Sequence, residues 1–510
     1  MAKVLFINPV IREWDKPRHI PYGLAQLVAI TIKEGHQVQV FDTNAWRPTN
    51  KEIRGVLAAD NWDVIVTGGL ITTYGSVKKI VQNAREICKD FIIIAGGGFL
   101  TPIPYDIMEL IPEIDIGVIG EGYETLKEIL KRVNEKDYDV TDIKGIIYRD
   151  GRRELHLNED RPLLKDVDSL PFPAWHLFPV DIYFKHSGLL LSEEAMLAKR
   201  HLGVMASYGC PFSCKFCFHL GLSGELKTYD LNGKRQIKIT HRRQIRNHSP
   251  AYVVDLVKYA RDRLGVDFVS FLDVNFAVLG KNSKWFDEFS TLWRKAGLQP
   301  KCVMEHKEHD SNFCSGVHWG ATAHAAVVTS EMLKHFRELG CSHLDYGLES
   351  FSDEILKSIG KGSNAKLNEK AVLITLKANI RPIPNQIIGF PDESFESILT
   401  TVDAWNRLGI QAYPFFATPY PGSEWYDNFK DSILEQYGGN LEDYLLDLGD
   451  ATKITAVISK NFNAVELLGL RELMVNRDVK RIKEYENYKR SLGDPKRIKS
   501  CEADLPPPEN

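Results

Sequence analysis

Three cysteines, Cys210, Cys214 and Cys217, fall within eight positions in the stretch Ser207-Tyr208-Gly209-Cys210-Pro211-Phe212-Ser213-Cys214-Lys215-Phe216-Cys217-Phe218. Their spacing is C-x3-C-x2-C, and the apolar run Leu202-Gly203-Val204-Met205-Ala206 ahead of them predicts a strand that ends in this loop. Three thiolates on one loop can converge on an iron–sulfur cluster, because its soft irons prefer sulfur ligands. In a cubane, three protein ligands leave one iron open to a substrate or cofactor. A structural zinc site wants four ligands, often as two C-x2-C pairs, and no second pair exists here. The plainer alternative is a buried trio of structural thiols. The cluster reading is preferred, with Cys210, Cys214 and Cys217 as the catalytic and metal-ligating residues.

The rest of the chain must hold that loop. Its 510 residues predict about three domains with ample core, and 44% hydrophobic and 26% charged content is ordinary for a globular protein. A net charge of −4 makes no general electrostatic case for nucleic acid or an anionic membrane. Eight scattered cysteines do not form a disulfide framework, which favours a reducing, cytoplasmic setting. The N-terminal run Val4-Leu5-Phe6-Ile7 is too short for a signal peptide and reads as a strand. No apolar run approaches the roughly 18 residues of a spanning helix.

Residues 1–140 read as a doubly wound α/β domain with a parallel sheet. Short apolar strands are expected at Val4–Ile7, Val38–Phe41, Val64–Thr67, Phe91–Ala95 and Ile116–Ile119, with helical segments between them. Ligands on such sheets bind beyond the carboxyl ends of the strands. Those ends carry Asn8-Pro9, Gly68-Gly69-Leu70, Gly96-Gly97-Gly98 and Gly120-Glu121-Gly122. Glycines there allow close approach of a ligand, although tight turns alone would also use them.

With Phe216 just before its last cysteine, the cysteine stretch resembles the radical S-adenosylmethionine (SAM) signature. Pro21-Tyr22-Gly23-Leu24, Glu34-Gly35-His36, Ala95-Gly96-Gly97-Gly98 and Gly120-Glu121-Gly122-Tyr123-Glu124, in that order, resemble the cobalamin-binding domain that precedes many radical SAM domains. This resemblance covers nearly all of residues 1–135. It implies cobalamin contacts from Asn8, Gly23, Leu70, Thr72, Gly96, Gly97, Gly98, Phe99, Gly120, Glu121 and Gly122. Two departures stand out. Phe99 occupies the place where many relatives have histidine, and the Asp-x-His-x-x-Gly motif that ligates cobalt is absent. The loop from Gly68 to Tyr74 is expected below the corrin, where Leu70 has no atom able to coordinate and Tyr74 is already entering a helix. His36, in a helix-to-strand turn, reads as structural. A methylthio-transferring relative would need a second cluster in this domain, where Cys88 stands alone.

Residues 141–200 read as a connector, with a hairpin around Asp150-Gly151 and an extended strap at Leu170-Pro171-Phe172-Pro173. Trp175 and Tyr183 in it are expected to be packing residues. Residues 201–424 read as a partial (β/α)6 barrel, with strands before Asp273, Glu349, Gly389 and Thr418, and chemistry belongs at such strand ends. In order, these pieces resemble the radical SAM barrel. The resemblance implies SAM contacts from Phe216, Asp273, Asn275, Glu349, Ser350, Ile388 and Gly389. Arg246-Asn247-His248-Ser249-Pro250 and Tyr420-Pro421-Gly422-Ser423 resemble the cobalamin-containing branch. The run from Cys302 to Cys314 holds two histidines and invites a metal reading, but its spacing matches no known site; a pocket wall or surface loop is preferred. Residues 425–510 are expected to form helices packed on the barrel, carrying a late basic stripe that reads as a solvated face.

The resemblance as a whole implies a cobalamin-dependent radical SAM methyltransferase with a 4Fe-4S cluster, SAM and cobalamin. It would need an external electron donor, and would methylate an unactivated carbon of a peptide or protein, a lipid or a small molecule through a 5′-deoxyadenosyl radical and methylcobalamin. The rival within the family is a cyclase or rearrangement enzyme without methyl transfer.

Overall fold

The computed structural model describes residues 1–87, 90–186, 191–219, 245–305 and 315–492, and the backbone of an antiparallel pair, Glu225–Leu231 and Lys234–Thr240. Cys88, Cys501 and the segment 306–314, which includes Cys314, lie outside the described residues.

Short runs of apolar residues make the N-terminal sheet. Strands β1 (Lys3–Asn8), β2 (Gln37–Asp42), β3 (Val64–Gly69), β4 (Ile92–Gly97) and β5 (Ile116–Val118) run parallel in the order β2-β1-β3-β4-β5. Val4 to Ile7 are wholly buried, as a strand covered by helices on both faces requires. The winding reverses between β1 and β3, so the crevice beyond Asn8 and Gly69 is the topological switch point. The sheet does not stop at the expected boundary. Strands β6 (Ile146–Arg149) and β7 (Leu155–Leu157), assigned to the connector by sequence, form its antiparallel edge, with Ile116 in register with Tyr148. Hairpin and sheet bury one core together, so the connector proper begins after them.

The strap then ties the two domains. Ala174 N donates to Ala25 O at 2.9 Å, and Asp168 accepts from Ser249 N at 3.0 Å and meets His248 Nδ1 at 2.9 Å. Trp175 and Tyr183 are buried packing residues.

Six parallel strands follow, neighbours in chain order: β8 (His201–Val204), β9 (Phe268–Phe271), β10 (His318–Ala323), β11 (Cys341–Glu349), β12 (Arg381–Ile388) and β13 (Phe415–Phe416). This is an open half-barrel. Strand β10, His-Trp-Gly-Ala-Thr-Ala, had no continuous aliphatic run to betray it. It is buried because its large residue, Trp319, packs among Phe271, Phe276 and Phe336. Ser249 caps the helix Pro250–Leu264 from a Ser-Pro start, and Gly265, at φ 68°, ends it.

The C-terminal helices divide. Leu467, Leu470, Met474 and Ile482, from helices Ala464–Val475 and Val479–Leu492, join the barrel core. Tyr426, Ile433, Tyr444 and Leu445, from helices Glu424–Gln436 and Leu441–Asp447, join the core of the N-terminal domain instead. The expectation of helices lying only on the barrel is corrected on this point, because apolar spacing says that a helix packs and not on what. The basic stripe is largely neutralised in place: Lys480 pairs with Glu484 at 3.7 Å, Arg481 with Asp478 at 3.5 Å and Lys489 with Glu466 at 2.6 Å.

Candidate active site

The cysteine loop is braced on both sides. Ser207 and Tyr208, at its start, pair antiparallel with Asn247 and Arg246. Asp273, at the end of β9, accepts from Ala206 N at 3.0 Å and from the Ser207 hydroxyl. On the far side Lys215 N donates to Ile359 O at 3.0 Å, and Trp425 N donates to Lys215 O at 3.1 Å. Phe212 stacks on His324 at 3.6 Å, and the His324 Nε2 lies 2.8 Å from Lys361 O. A side chain on Gly362, at φ 69°, would be strained, and its Cβ would lie 3.0 Å from the Phe212 ring. Cys214 is buried, with Cys210 and Cys217 half-buried beside it.

One residue that sequence reasoning missed sits among them. Lys361 is buried, its Nζ 2.8 Å from Glu349 Oε1 and 5.6 Å over the Phe216 ring. Burial opposes its charge, but Glu349 and the Cys214 and Cys217 sulfurs hold its proton, and its pKa lies above the ordinary lysine value. Burial pushes the Cys214 thiol up to about 12 while the Lys361 ammonium pulls against the rise. The signal was a lysine between two glycines, Gly360-Lys361-Gly362, shortly after the Gly-Leu-Glu-Ser block. Glu349 takes a left-handed φ of 61°, rare for a residue with a Cβ, where β11 breaks register with β12. Gly347 beneath it makes the room: a Cβ there would lie 2.8 Å from Lys361 Nζ.

Asn275 is also brought to this end. Its Oδ1 accepts from His324 N at 3.2 Å, which fixes the amide orientation, and its buried Nδ2 has no hydrogen-bond partner among the described residues. An orphaned donor beyond β9, next to the strand that carries the cysteine loop, suits an acceptor group on a bound ligand. Other expected SAM contacts are already committed to the scaffold. Asp273 is wholly buried with both oxygens spent on the loop, and burial lifts it to about 6. Ser350 Oγ lies 3.1 Å from Thr401 Oγ1 and accepts from Ser352 N. Ile388 O accepts from Ala417 N at 2.8 Å, and Gly389 N donates to Glu393 at 3.2 Å. These hydrogen bonds tie Asp273, Ser350, Ile388 and Gly389 into the scaffold at the end of the sheet that carries the cysteine loop.

The N-terminal rim is different in kind. Leu70, 42% exposed, stands at the switch point, followed by the single turn Ile71–Thr73 with Thr72 half-buried, and the helix opens at Tyr74 as expected. A Cβ on Gly23 or Gly120 would meet nothing within 4 Å, so there the backbone is open to a ligand. Gly68 and Gly97 serve the sheet instead. A Cβ on Gly68 would overlap Gly96 O, and one on Gly97 would lie 2.9 Å from Gly69 O. A Cβ on Gly96 would lie 3.3 Å from Val118 and one on Gly122 would lie 3.5 Å from it, while Gly98 is buried.

Three of the residues expected at cobalamin also have partners within the fold. The Phe99 ring is wholly buried against Tyr74, 6.1 Å between centroids, because a phenyl ring belongs in that apolar core. Asn8 Nδ2 donates to Asp42 at 2.8 Å and to Tyr183 at 3.1 Å in a buried network. Glu121 pairs with Arg246 across the domain boundary and accepts from Leu164 N at 3.0 Å.

Together the fold and this loop define a class: a parallel α/β cofactor domain clamped onto an open half-barrel that carries a three-cysteine loop. Known proteins agree. A family model described as the B12 binding domain matches residues 14–130, and one described as the radical SAM superfamily matches residues 204–404, together more than half of the chain. PH0819 of Pyrococcus horikoshii, an uncharacterized methyltransferase, is 29% identical over 408 residues, covering 79% of this chain and 77% of its own. The anaerobic magnesium-protoporphyrin IX monomethyl ester cyclase of Cereibacter sphaeroides is 24% identical over 377 residues, 73% of this chain but only 54% of that longer one. The structure of TsrM, a radical SAM methyltransferase from Kitasatospora setae with cobalamin and a [4Fe-4S] cluster bound, shares the fold with TM-score 0.63 at 16% identity, over 85% of this chain and 78% of that one.

The chain carries a B12-binding domain and a radical SAM domain together, and its cofactors are a 4Fe-4S cluster, SAM and cobalamin. Among the described residues no helix is long and apolar enough to cross a membrane.

Proposed function

We propose that this radical SAM enzyme is a C-methyltransferase acting on an unactivated carbon of a peptide or protein, a lipid or a natural-product substrate. The observation that carries the reading is the bracing between its two cofactor regions. Glu121 on the N-terminal rim pairs with Arg246, and Arg246 lies in register with Tyr208, two positions ahead of Cys210. With Arg246 buried and Glu121 half-buried, this pair would hold the two cofactor regions at a fixed separation, so that one substrate carbon could meet both. Bound together, the cofactors supply one-electron cleavage of SAM and a methyl group carried on cobalt.

The chain's own residues do the rest. Cys210, Cys214 and Cys217 would each ligate an iron, losing their thiol protons as metal binds. Lys361 stabilises those thiolates and holds Glu349 at the strand end. The unpaired Asn275 donor suits the methionyl carboxylate of SAM, and Phe216 gives an aromatic face beside Lys361. At the rim, the open backbone at Gly23 and Gly120 and the Leu70 side chain would bound the corrin. An external one-electron donor is required.

The homology to a cyclase favours a second reading, ring closure without methyl transfer. Anaerobic incubation of the reconstituted enzyme with methyl-deuterated SAM and a host extract, read by mass spectrometry, separates the two. Methylation adds one labelled methyl group to a product. A product of unchanged mass, or one lighter by hydrogens, would replace the methyltransferase reading with the cyclase one.

A further inference from the structure

Below the cysteine loop the half-barrel carries a carboxyl that neither cofactor region uses. On β11 the Tyr346 hydroxyl lies 2.8 Å from Thr375 Oγ1 on the surrounding helix Ala365–Lys377, so Tyr346 points outward. Alternation along a strand then turns His343, Asp345 and Gly347 toward the lumen. The position of His343 agrees, because a Cβ on Gly320 of β10 would overlap its ring. Asp345 lies four residues below Glu349, roughly 13 Å along the strand at about 3.3 Å per residue.

Beneath it the lumen is closed. The His201 ring stacks on Phe268 at 4.6 Å and Phe268 on His343 at 5.7 Å, a buried aromatic floor. Asp345 keeps 25% of its side chain open, between that floor and the cysteine loop. Among the described residues no lysine or arginine pairs with it. Its one ion-pair contact is His343 Nε2 at 4.0 Å, and burial holds that imidazole down at about 4, so it is neutral at physiological pH. Other enclosed carboxylates of this fold have either hydrogen-bond donors, as Asp273 has Ser207, Asp42 has Asn8 and Glu393 has Ser397, or a cation. Glu349 has Lys361, Glu121 has Arg246, and Glu194 has Arg337 at 2.7 Å. Burial alone lifts Asp345 to about 7, the mark of a carboxyl lacking a counter-charge.

We infer that Asp345 anchors a protonated nitrogen of the substrate, which makes the substrate a basic molecule bearing an amine, amidine or imidazole group. The inference rests on the proposed function only in taking the lumen below the cysteine loop as the substrate space. The anchored end of such a substrate would lie against Asp345, flanked by Thr322 and Ile383, its register neighbours on β10 and β12. The reacting carbon would lie nearer Glu349 and the cysteines.

The test uses the full chain reconstituted with cluster and cobalamin, and two probes of one shape, benzylamine and its neutral counterpart benzyl alcohol. Saturation-transfer NMR titrations give both affinities. Wild type should prefer the amine, and Asp345→Asn should weaken benzylamine on the order of tenfold, as loss of a charge-assisted contact does, with benzyl alcohol unchanged. Asp345→Glu, which keeps the charge, should keep the preference. Equal affinity of the two probes in wild type, or undiminished benzylamine binding in Asp345→Asn, overturns the inference. Should the Asn variant not fold, the wild-type and Glu comparisons decide alone. Iron content and 5′-deoxyadenosine formation in the same samples report on the proposed function separately. Their loss with the amine preference intact would count against that reading only.

Discussion

The cysteine loop and the N-terminal rim both serve cofactors, yet they are built in opposite ways. Around the loop the working groups are side chains of specific chemistry, crowded and largely buried: three thiols, the Lys361–Glu349 pair, an unpaired Asn275 donor. At the rim the open features are backbone and one aliphatic side chain, Gly23, Gly120 and Leu70. The polar side chains expected to reach a ligand there, Asn8 and Glu121, are turned into the scaffold by Asp42 and Arg246. A metal cluster is held by a few directional bonds from soft atoms, so residue type is decisive. A large flat cofactor is held by area and by room for its edges, so shape is decisive and residue type is free to vary.

The largest test of this contrast removes the thiols. Cys210→Ala, Cys214→Ala and Cys217→Ala should each abolish 5′-deoxyadenosine formation and strip cluster iron while cobalamin absorbance remains. Retained SAM cleavage in any of them would break the comparison at its stronger end. Cys302 and Cys341, buried elsewhere, should be replaceable by Ser with the iron content unchanged.

Next in size is the buried pair beside the loop. Lys361→Met leaves Glu349 uncompensated and should cost about 3–5 kcal/mol by denaturant unfolding, with much of the loss recovered in the double variant Lys361→Met, Glu349→Leu. A single-variant cost below 1 kcal/mol would mean that the pair is hydrated and not structural.

Glu393 gives the barrel a pH signature. It is buried under the Gly389 turn, where burial lifts its carboxyl from 4.5 to about 7 against hydrogen bonds from Ser397 and Gly389. The folded state therefore binds the proton more tightly than the unfolded state does. Its stabilising contribution is full below pH 4.5 and is lost as pH rises to about 7, a change of about 2–3 kcal/mol. Glu393→Gln should flatten that slope in unfolding titrations; an unaltered slope would assign it to other groups.

At the rim, Gly97→Ala forces a Cβ onto a backbone at φ 82° and toward Gly69 O. The expected loss is about 1–2 kcal/mol of stability, with weaker cobalamin binding and unchanged cluster iron. Equal loss of both cofactors would show that the two sites are not separable.

The smallest expected effect is none at all. Leu70 offers cobalt no ligand, so paramagnetic resonance of the cob(II)alamin state should lack nitrogen splitting and stay unchanged in His19→Ala and His36→Ala. Splitting that vanishes in either variant would place a protein nitrogen on the metal.

The division between what was legible and what was not follows the same physics. Period and composition located five of the six barrel strands, but β10 was hidden because its burial comes from one tryptophan and small residues, not an aliphatic run. The hairpin around Asp150 was legible as a hairpin, yet its place on the edge of the N-terminal sheet was not, since strand pairing partners leave no local mark. Helical spacing in the C-terminal region foretold packing without saying that Tyr444 and Leu445 meet the N-terminal core while Leu467 and Leu470 meet the barrel.

By itself the sequence determined the cysteine triad, the two cofactor domains and their order, because spacing on one loop and strand-end glycines are local properties. Only the tertiary structure decided that Lys361 stands among the thiols, that Asp273 braces the loop instead of facing solvent, that Glu121 is spent on Arg246, and that Asp345 has no lysine or arginine partner among the described residues. Each depends on segments far apart in the chain meeting in a buried place, where a charge must find a partner or keep its proton, and no local pattern encodes which partner that is.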